Sequence, residues 1–367
     1  MQLGISNCSE RKPKCLQSLY LYFVTLLSAL PIRSVRAAYA RCAYSRAMDA
    51  CGTERRLGMR KVIGIGETVF DIIFRDEQPV GAIPGGSTYN SIISLGRAGV
   101  PAEFISETGD DRVGRRITGF LEENGVSSRS VCIHKGQKSA LSLAFLNAQN
   151  DAEYVFYKDH AQDRLEFVYP EVNPDDVVLY GSFYSINSVV RAQVKEFLDY
   201  ASQHGAILYY DVNFRASHKC DAERLMGNIR ENLELADVVR GSDEDFDILF
   251  EKRGADDVYE TEIARHASNF IYTCGAKPLE VRAASGMKRS YEVKRVPTVS
   301  TVGAGDSFNA GFAFGLIRYG VTREALRAGL DADIWDKLIA CAQGFSANVC
   351  QSMYNYIDKE YGKQLKC

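Results

Sequence analysis

From residue 59 onward, short apolar runs alternate with longer stretches of helical periodicity, and this alternation restricts the fold more than any other feature of the chain. Residues 61–65, 102–106, 177–180, 207–211, 238–240 and 270–273 are strand-length apolar runs, which read as strands buried on both faces. Residues 112–124, 189–204, 222–235, 257–268 and 333–356 read as helices. A helix between successive strands returns the chain in parallel. The spacing therefore predicts an α/β fold, with a mostly parallel central sheet covered on both faces. Neither an internal repeat nor a Pro/Gly-rich linker divides the region, so 59–367 reads as one domain. One part breaks the rhythm. Residues 139–147 and 152–158 alternate apolar and polar positions around Gln149-Asn150-Asp151, which predicts a β-hairpin. With 69–74 it would form a small separate sheet; an ordinary edge hairpin is the alternative.

The run Ser300-Thr301-Val302-Gly303-Ala304-Gly305-Asp306-Ser307-Phe308 follows an extended segment at 293–297 and opens a long helical pattern. Gly303 and Gly305 remove the Cβ atoms that would keep backbone N–H groups from closing around an anion. The first turn of the next helix adds its orphan donors and the positive end of its dipole. Asp306 is then a carboxylate beside an anion pocket, an unfavourable place unless it accepts a proton there. A helix cap is the plainer alternative for the same Asp. Far upstream, Ile83-Pro84-Gly85-Gly86-Ser87-Thr88-Tyr89-Asn90 enters a second helix that closes at Gly99. Gly85 and Gly86 allow close approach of a ligand to the backbone, Ser87 is the expected N-cap, and Asn90 offers donors and an acceptor to hydroxyls.

The first run closely resembles the D-T-x-G-A-G-D signature of the ribokinase-like (PfkB) sugar kinases, with Ser300 in place of the leading Asp. The second resembles the N-terminal signature of the same family. Gly66-Glu67-Thr68-Val69-Phe70-Asp71 is similar to the Gly-Glu-x-x-x-Asp start of fructokinase-like members, whose Asp bonds sugar hydroxyls. A dinucleotide fingerprint at Gly64-x-Gly66 fails, because its third Gly would fall on Val69. Asp211-Val212-Asn213-Phe214-Arg215 resembles the family's D-x-N-x-R, which turns polar groups such as Asn213 and Arg215 toward the cleft. An Arg fork there suits a phosphoryl group, although a solvated surface Arg is the alternative. Ser242 and Asp245 occupy the positions of N-x-x-E, which implies a Mg²⁺ site at Asp245; a capping motif at the head of helix 243–252 explains the same residues without metal. Thr273-Cys274-Gly275 and Asn348, within Ser346-Ala347-Asn348, resemble parts of the nucleotide side, and Thr301 belongs to the anion run.

The resemblance covers 59–367 and implies a ribokinase-like three-layer sandwich with a β-sheet lid over the sugar, from strands at about 69–84 and 137–160. It implies ATP and Mg²⁺ as cofactors and a homodimer through the lid. The expected reaction is ATP-dependent phosphorylation of a sugar hydroxyl. Asp306 would be the general base and Gly303, Ala304 and Gly305 the anion hole. Fructose or a similar ketose is the expected substrate. Ribose, a keto-deoxy sugar acid or a nucleoside remain alternatives, as does a catalytically idle sugar- or nucleotide-binding regulator of the same fold. Ser300 offers only a neutral oxygen where relatives use a carboxylate to hold an activating monovalent cation.

A net charge of −3 gives no basis for a nucleic-acid partner. The charge is nonetheless split, because residues 1–58 carry nine Lys/Arg against three Asp/Glu. Residues 16–30 follow Arg11, Lys12 and Lys14 and resemble a signal peptide, while 59–63 would make a natural start to the first strand. The expectation is an unstructured or mis-assigned extension on a cytoplasmic enzyme, since ATP is available inside cells. The ten Cys show no C-x-x-C spacing, which argues against zinc and for reduced thiols.

Overall fold

A computed structural model describes residues 60–147, 152–157 and 167–365. The basic leader and the tip of the expected hairpin lie outside the described residues.

The strands are β1 (Val62–Ile65), β2 (Val69–Arg75), β3 (Gln78–Gly85), β4 (Ala102–Gly109), β5 (Val126–Ser127), β6 (Val131–His134) and β7 (Leu141–Leu146). They continue as β8 (Ala152–Tyr157), β9 (Val177–Gly181), β10 (Ile207–Asp211), β11 (Val238–Ser242), β12 (Phe270–Cys274), β13 (Lys277–Arg282) and β14 (Lys288–Tyr291). The α-helices are α1 (Ser87–Arg97), α2 (Arg112–Glu123), α3 (Ser182–Ile186), α4 (Arg191–Gln203), α5 (Ala222–Leu235) and α6 (Asp243–Phe250). After them come α7 (Ala255–Val258), α8 (Ala304–Arg318), α9 (Arg323–Ala328), α10 (Ala332–Cys350) and α11 (Lys359–Leu365).

The main sheet runs β14-β13-β12-β11-β10-β9-β1-β4-β5, with β6 also on β4. From β12 to β5 every pairing is parallel, with Val62 opposite both Ala102 and Val177. Alternate residues of the strands enter two different cores. Val62, Leu179, Tyr209 and Val238 pack with α1, α8 and α10. Ile63, Tyr180, Tyr210 and Val239 pack with α4, α5 and α6. This is the doubly covered sheet that continuous apolar strands require. Because the strands are parallel, their C-terminal ends share one edge, where open α/β sheets present ligand-binding loops.

The hairpin does not sit on an edge of that sheet. It belongs to a second sheet, β3-β2-β7-β8, in which β2 pairs antiparallel with β3 and parallel with β7.

Several boundaries differ from expectation. The helix expected over 257–268 is a short α7 followed by a π-turn at Tyr259–Ile263. The wider turn lets Val258 and Ile263, five residues apart, both reach the core fully buried. The helix expected to reach 356 stops at Cys350, whose carbonyl accepts N–H groups from Val299 and Ser300. Strands β13 and β14 have no counterpart in the apolar-run reading. They are antiparallel at the edge, and the sequence of β14 (KRSY) carries the basic residues that protect an open edge. Residues 293–297 lie in no strand. Five cysteines among the described residues form no disulfide. No helix among the described residues is long and apolar enough to cross a membrane.

Candidate active site

Helix α8 begins at Gly303, whose φ of 78° is left-handed. A Cβ at Gly303 would lie 2.6 Å from the Asn355 carbonyl oxygen, so glycine is required both for conformation and for space. The first intrahelical bond runs from Ser307 N–H to the Gly303 carbonyl (2.9 Å). The amides of Gly305 and Asp306 therefore have no intrahelical acceptor, and they stand at the positive end of a fifteen-residue helix.

Asp306 lies in this first turn, half-buried, and its carboxylate faces the head of α1. Ser87 Oγ donates to its Oδ1 and Asn90 Nδ2 to its Oδ2, each at 2.8 Å. Ser91 Oγ also donates to the Asp306 carbonyl (2.7 Å). The two glycine-led helix starts are thus joined side by side, although 216 residues separate Asn90 from Asp306. Ser87 is not the expected N-cap. Gly86 holds that position with φ 124°, which makes Ser87 the first helical residue and frees its hydroxyl for Asp306.

One cavity is lined by Asp306, Gly303, Ser87, Asn90, Asp71 and Arg215, together with Tyr154 and Phe156 of β8 and Asn355. Asn90 is 4% exposed, and its Oδ1 has no hydrogen-bond partner among the described residues. A buried acceptor left open costs free energy unless a ligand satisfies it. Asp71, on β2, accepts from Ser142 Oγ of β7 (2.5 Å). A Cβ at Gly85 would strike its other oxygen, so a larger residue there would displace the Asp71 carboxylate. The second sheet thereby delivers Asp71 and Tyr154 to a cavity also walled by segments that follow β1 and β9 and by the heads of α1 and α8.

Burial raises the pKa of Asp306 to about 6, against the pull of the Asn90 and Ser87 hydrogen bonds; Asp211 adds to the rise and Arg215 opposes it. Burial likewise raises Asp71 to about 6, with Ser142 and Arg215 opposing and Asp306 adding to the rise. Tyr154 is pushed up to about 12, chiefly by burial, and so stays a neutral donor near neutral pH. Arg215 lies 5.8 Å from the Tyr154 ring centre.

Of the residues expected on the nucleotide and metal side, Gly303 lines this cavity, while Ser242, Asp245, Thr273, Gly275, Thr301, Gly305 and Asn348 do not. Ser242 and Asp245 close a capping box at the head of α6, as the alternative reading of that motif held. Asp245 Oδ2 accepts from the Ser242 amide and hydroxyl, and Oδ1 from the Phe214 amide (2.7 Å). Among the described residues no group of three or more His, Cys, Asp or Glu could hold a metal. Thr273 Oγ1 accepts from Arg240 and donates to the Gly241 carbonyl. Gly275 sits at φ 57° in the β12–β13 turn, and Asn213 at φ 36° beyond β10. Asn348 Oδ1 accepts from the Asp358 amide (2.8 Å), while Thr301 is exposed and its carbonyl receives the Ala304 amide. Ser300 is buried and its hydroxyl accepts from the Val302 amide (3.2 Å).

Sequence reasoning passed over Arg240. It is buried in the middle of β11, donates to Asp211 Oδ1 (2.9 Å) and lies against Gly305. The available signal was a charge within a buried strand, which demands a partner. Tyr154 and Phe156 were also unmarked, because alternation in a hairpin does not tell which face meets a ligand.

Comparison with known proteins supplies the remaining findings. Residues 59–332 match a family model described as pfkB family carbohydrate kinase. Fructokinase-2 of Solanum lycopersicum is 32% identical over 235 residues, spanning 61% of this chain and 70% of the relative. The structure of a fructokinase with bound ATP from Xylella fastidiosa superposes with a TM-score of 0.70 at 21% identity, covering 83% of this chain and 98% of that one. Aminoimidazole riboside kinase from Salmonella enterica, complexed with its riboside and an ATP analogue, gives the same TM-score, identity and coverage. These two solved structures share the fold.

Proposed function

The chain belongs to the pfkB family of carbohydrate kinases, and from that premise we propose that it transfers the terminal phosphoryl group of ATP to a hydroxyl of fructose or a similar ketose. The observation that carries this reading is the Asp306 carboxylate. It is held by Ser87 and Asn90 in the lining of a cavity, in the same first helical turn as the unpaired amides.

Asp306, when ionised, accepts the proton of the attacking hydroxyl. Asn90 Oδ1 and Asp71 bind neighbouring hydroxyls and so set which one faces Asp306. The amides of Gly305 and Asp306 form the anion hole beside Gly303, the Ala304 amide being engaged by the Thr301 carbonyl, and Arg215 supplies a fork for phosphoryl oxygens. ATP fits the α8 end, where the orphan amides of Gly305 and Asp306 stand at the positive end of the helix; when bound it supplies the phosphoryl group. The donor set for Mg²⁺ does not fit a protein-held ion, because Asp245 is consumed by the capping box. We therefore assign Mg²⁺ to the nucleotide's phosphates and give Asp245 a structural role. Ser300, with its hydroxyl engaged by Val302, supports activity that does not depend on potassium. The spent Asp245 also supports the second reading, a binding protein without turnover.

Several supports favour the ketose: the Gly66–Asp71 motif, Asp71 in the cavity, and a relative named as a fructokinase. The test is ADP release by the full chain with ATP and a panel of fructose, ribose, a keto-deoxy sugar acid and nucleosides. Fructose-dependent ADP release is expected. Nucleotide binding with no acceptor-dependent turnover would favour the idle regulator instead.

A further inference from the structure

We propose that Arg240 is a positioning residue for this chemistry: by pairing with Asp211 and bridging it to Thr273, it fixes the first turns of α8 and with them the anion loop and Asp306. The proposal rests on the reading of Asp306 as proton acceptor. Arg240 is 9% exposed and Asp211 4% exposed, and they lie directly opposite each other on β11 and β10. Arg240 Nη1 donates to Asp211 Oδ1 (2.9 Å) and Nη2 to Thr273 Oγ1 (2.8 Å) on β12. A single planar fork thus ties three adjacent strands together.

Helix α8 rests on this fork at two places. At Gly305, an added Cβ would stand 3.2 and 3.3 Å from the two terminal guanidinium nitrogens, so the backbone sits directly on the cation. At Asn309, Nδ2 donates to Asp211 Oδ2 (2.8 Å), while Oδ1 accepts from Tyr209 Oη (3.0 Å). Residues 305 and 309 are one turn apart and bracket Asp306. Asp211 is thus occupied on one oxygen by the cation and on the other by the helix. Remove the cation and a buried carboxylate is left uncovered beneath the catalytic turn.

The charges around the two groups fix the signs of a test. Arg240 is faced by Asp211, Tyr209 and Asp245; burial opposes its charge, but these groups hold its pKa above the ordinary value. Asp306 is faced by Ser87 and Asn90 from α1, by Asp211 from β10, by Arg215 beyond it, and by Asp71 and Tyr154 from the second sheet. Uncovering Asp211 raises the Asp306 midpoint, and neutralising Asp211 lowers it. Changes of opposite sign are not what a merely structural role produces.

The experiment is a carboxyl-carbon NMR titration of Asp306 in the nucleotide-free full chain, assigned by loss of its signal in Asp306→Asn, with kcat measured alongside. Arg240→Met should move the midpoint up from about 6 and lower kcat by about 10²-fold, the scale of a small misplacement of reacting groups. Asp211→Asn should move it down. Arg240→Lys keeps the charge and loses the fork, so the midpoint should hold while kcat falls between the wild-type and Met values. An unmoved midpoint with unchanged kcat in Arg240→Met overturns the proposal. Should that variant not fold, the other two decide: unchanged kcat in Arg240→Lys together with an unmoved midpoint in Asp211→Asn overturns it. Failure of the proton-acceptor reading shows up separately, as full turnover in Asp306→Asn.

Discussion

At Asp306 the chain keeps a carboxylate where burial opposes its charge and two donors from α1 favour it, and the balance has consequences for both activity and stability. Only the ionised form accepts a proton, so kcat should rise through about pH 6 and level above it. The stability sign is opposite. The folded pKa lies above the ordinary 3.8, so the native state holds this proton more tightly than the unfolded chain. That contribution is complete below about pH 4 and is lost as pH rises through about 6. Asp306→Asn should therefore melt higher than the wild type at pH 8, with no gain at pH 4, by scanning calorimetry. Equal melting differences at both pH values would remove Asp306 from this balance. Sugar recognition is a separate residue-scale claim. Asp71→Ala or Asn90→Ala should weaken sugar binding by about 1–3 kcal/mol in calorimetric titration, because hydroxyls lose buried partners; unchanged affinity in both would place the sugar elsewhere. Asp306 and Asn90 were legible because each follows its glycines at fixed spacing in one short run. Arg240 and the Ser87 hydroxyl were not, because their partners, Asp211 and Asp306, come from other elements and only the folded register brings them together.

Among the elements, the pair α8 and α10 positions the site, and their contact is set by small residues. A Cβ at Gly311 would lie 2.5 Å from the Cys341 carbonyl oxygen and 2.7 Å from the Ala342 Cα. Both are backbone atoms, so one helix would have to move. Gly311→Ala should therefore destabilise the fold by about 1–3 kcal/mol despite alanine's better helix propensity. A denaturant midpoint equal to or above the wild type would show that the helices are not in close contact. The six apolar strands were legible because burial on both faces leaves a continuous signature. Strand β13 and the edge strand β14 carry mixed or basic sequences, and a π-turn departs from the periodicity by which helices are read. Those elements are specified by neighbours, not by their own pattern.

For the whole molecule, the described residues from 60 onward supply a hydrophobic core on each face of the main sheet. Residues 1–58 carry opposite net charge and none of the strand–helix alternation. The 59–367 segment should fold alone, with one cooperative thermal transition and kinase activity like that of the full chain; loss of the transition would make the leader structural. The architecture was legible because its alternation runs through the whole domain, and the second sheet because its hairpin alternates cleanly. That this sheet contributes Asp71 and Tyr154 to one cavity with Asp306 depends on long-range pairing that no local pattern records. The central claim, that this cavity performs phosphoryl transfer with Asp306 as proton acceptor, is tested most directly by Asp306→Asn in the full chain. Asn is nearly isosteric, so ATP and sugar binding should remain close to wild type, while turnover falls by at least about a hundredfold. Wild-type turnover on the true substrate would contradict the account and leave Asp306 as a residue that only joins α1 to α8.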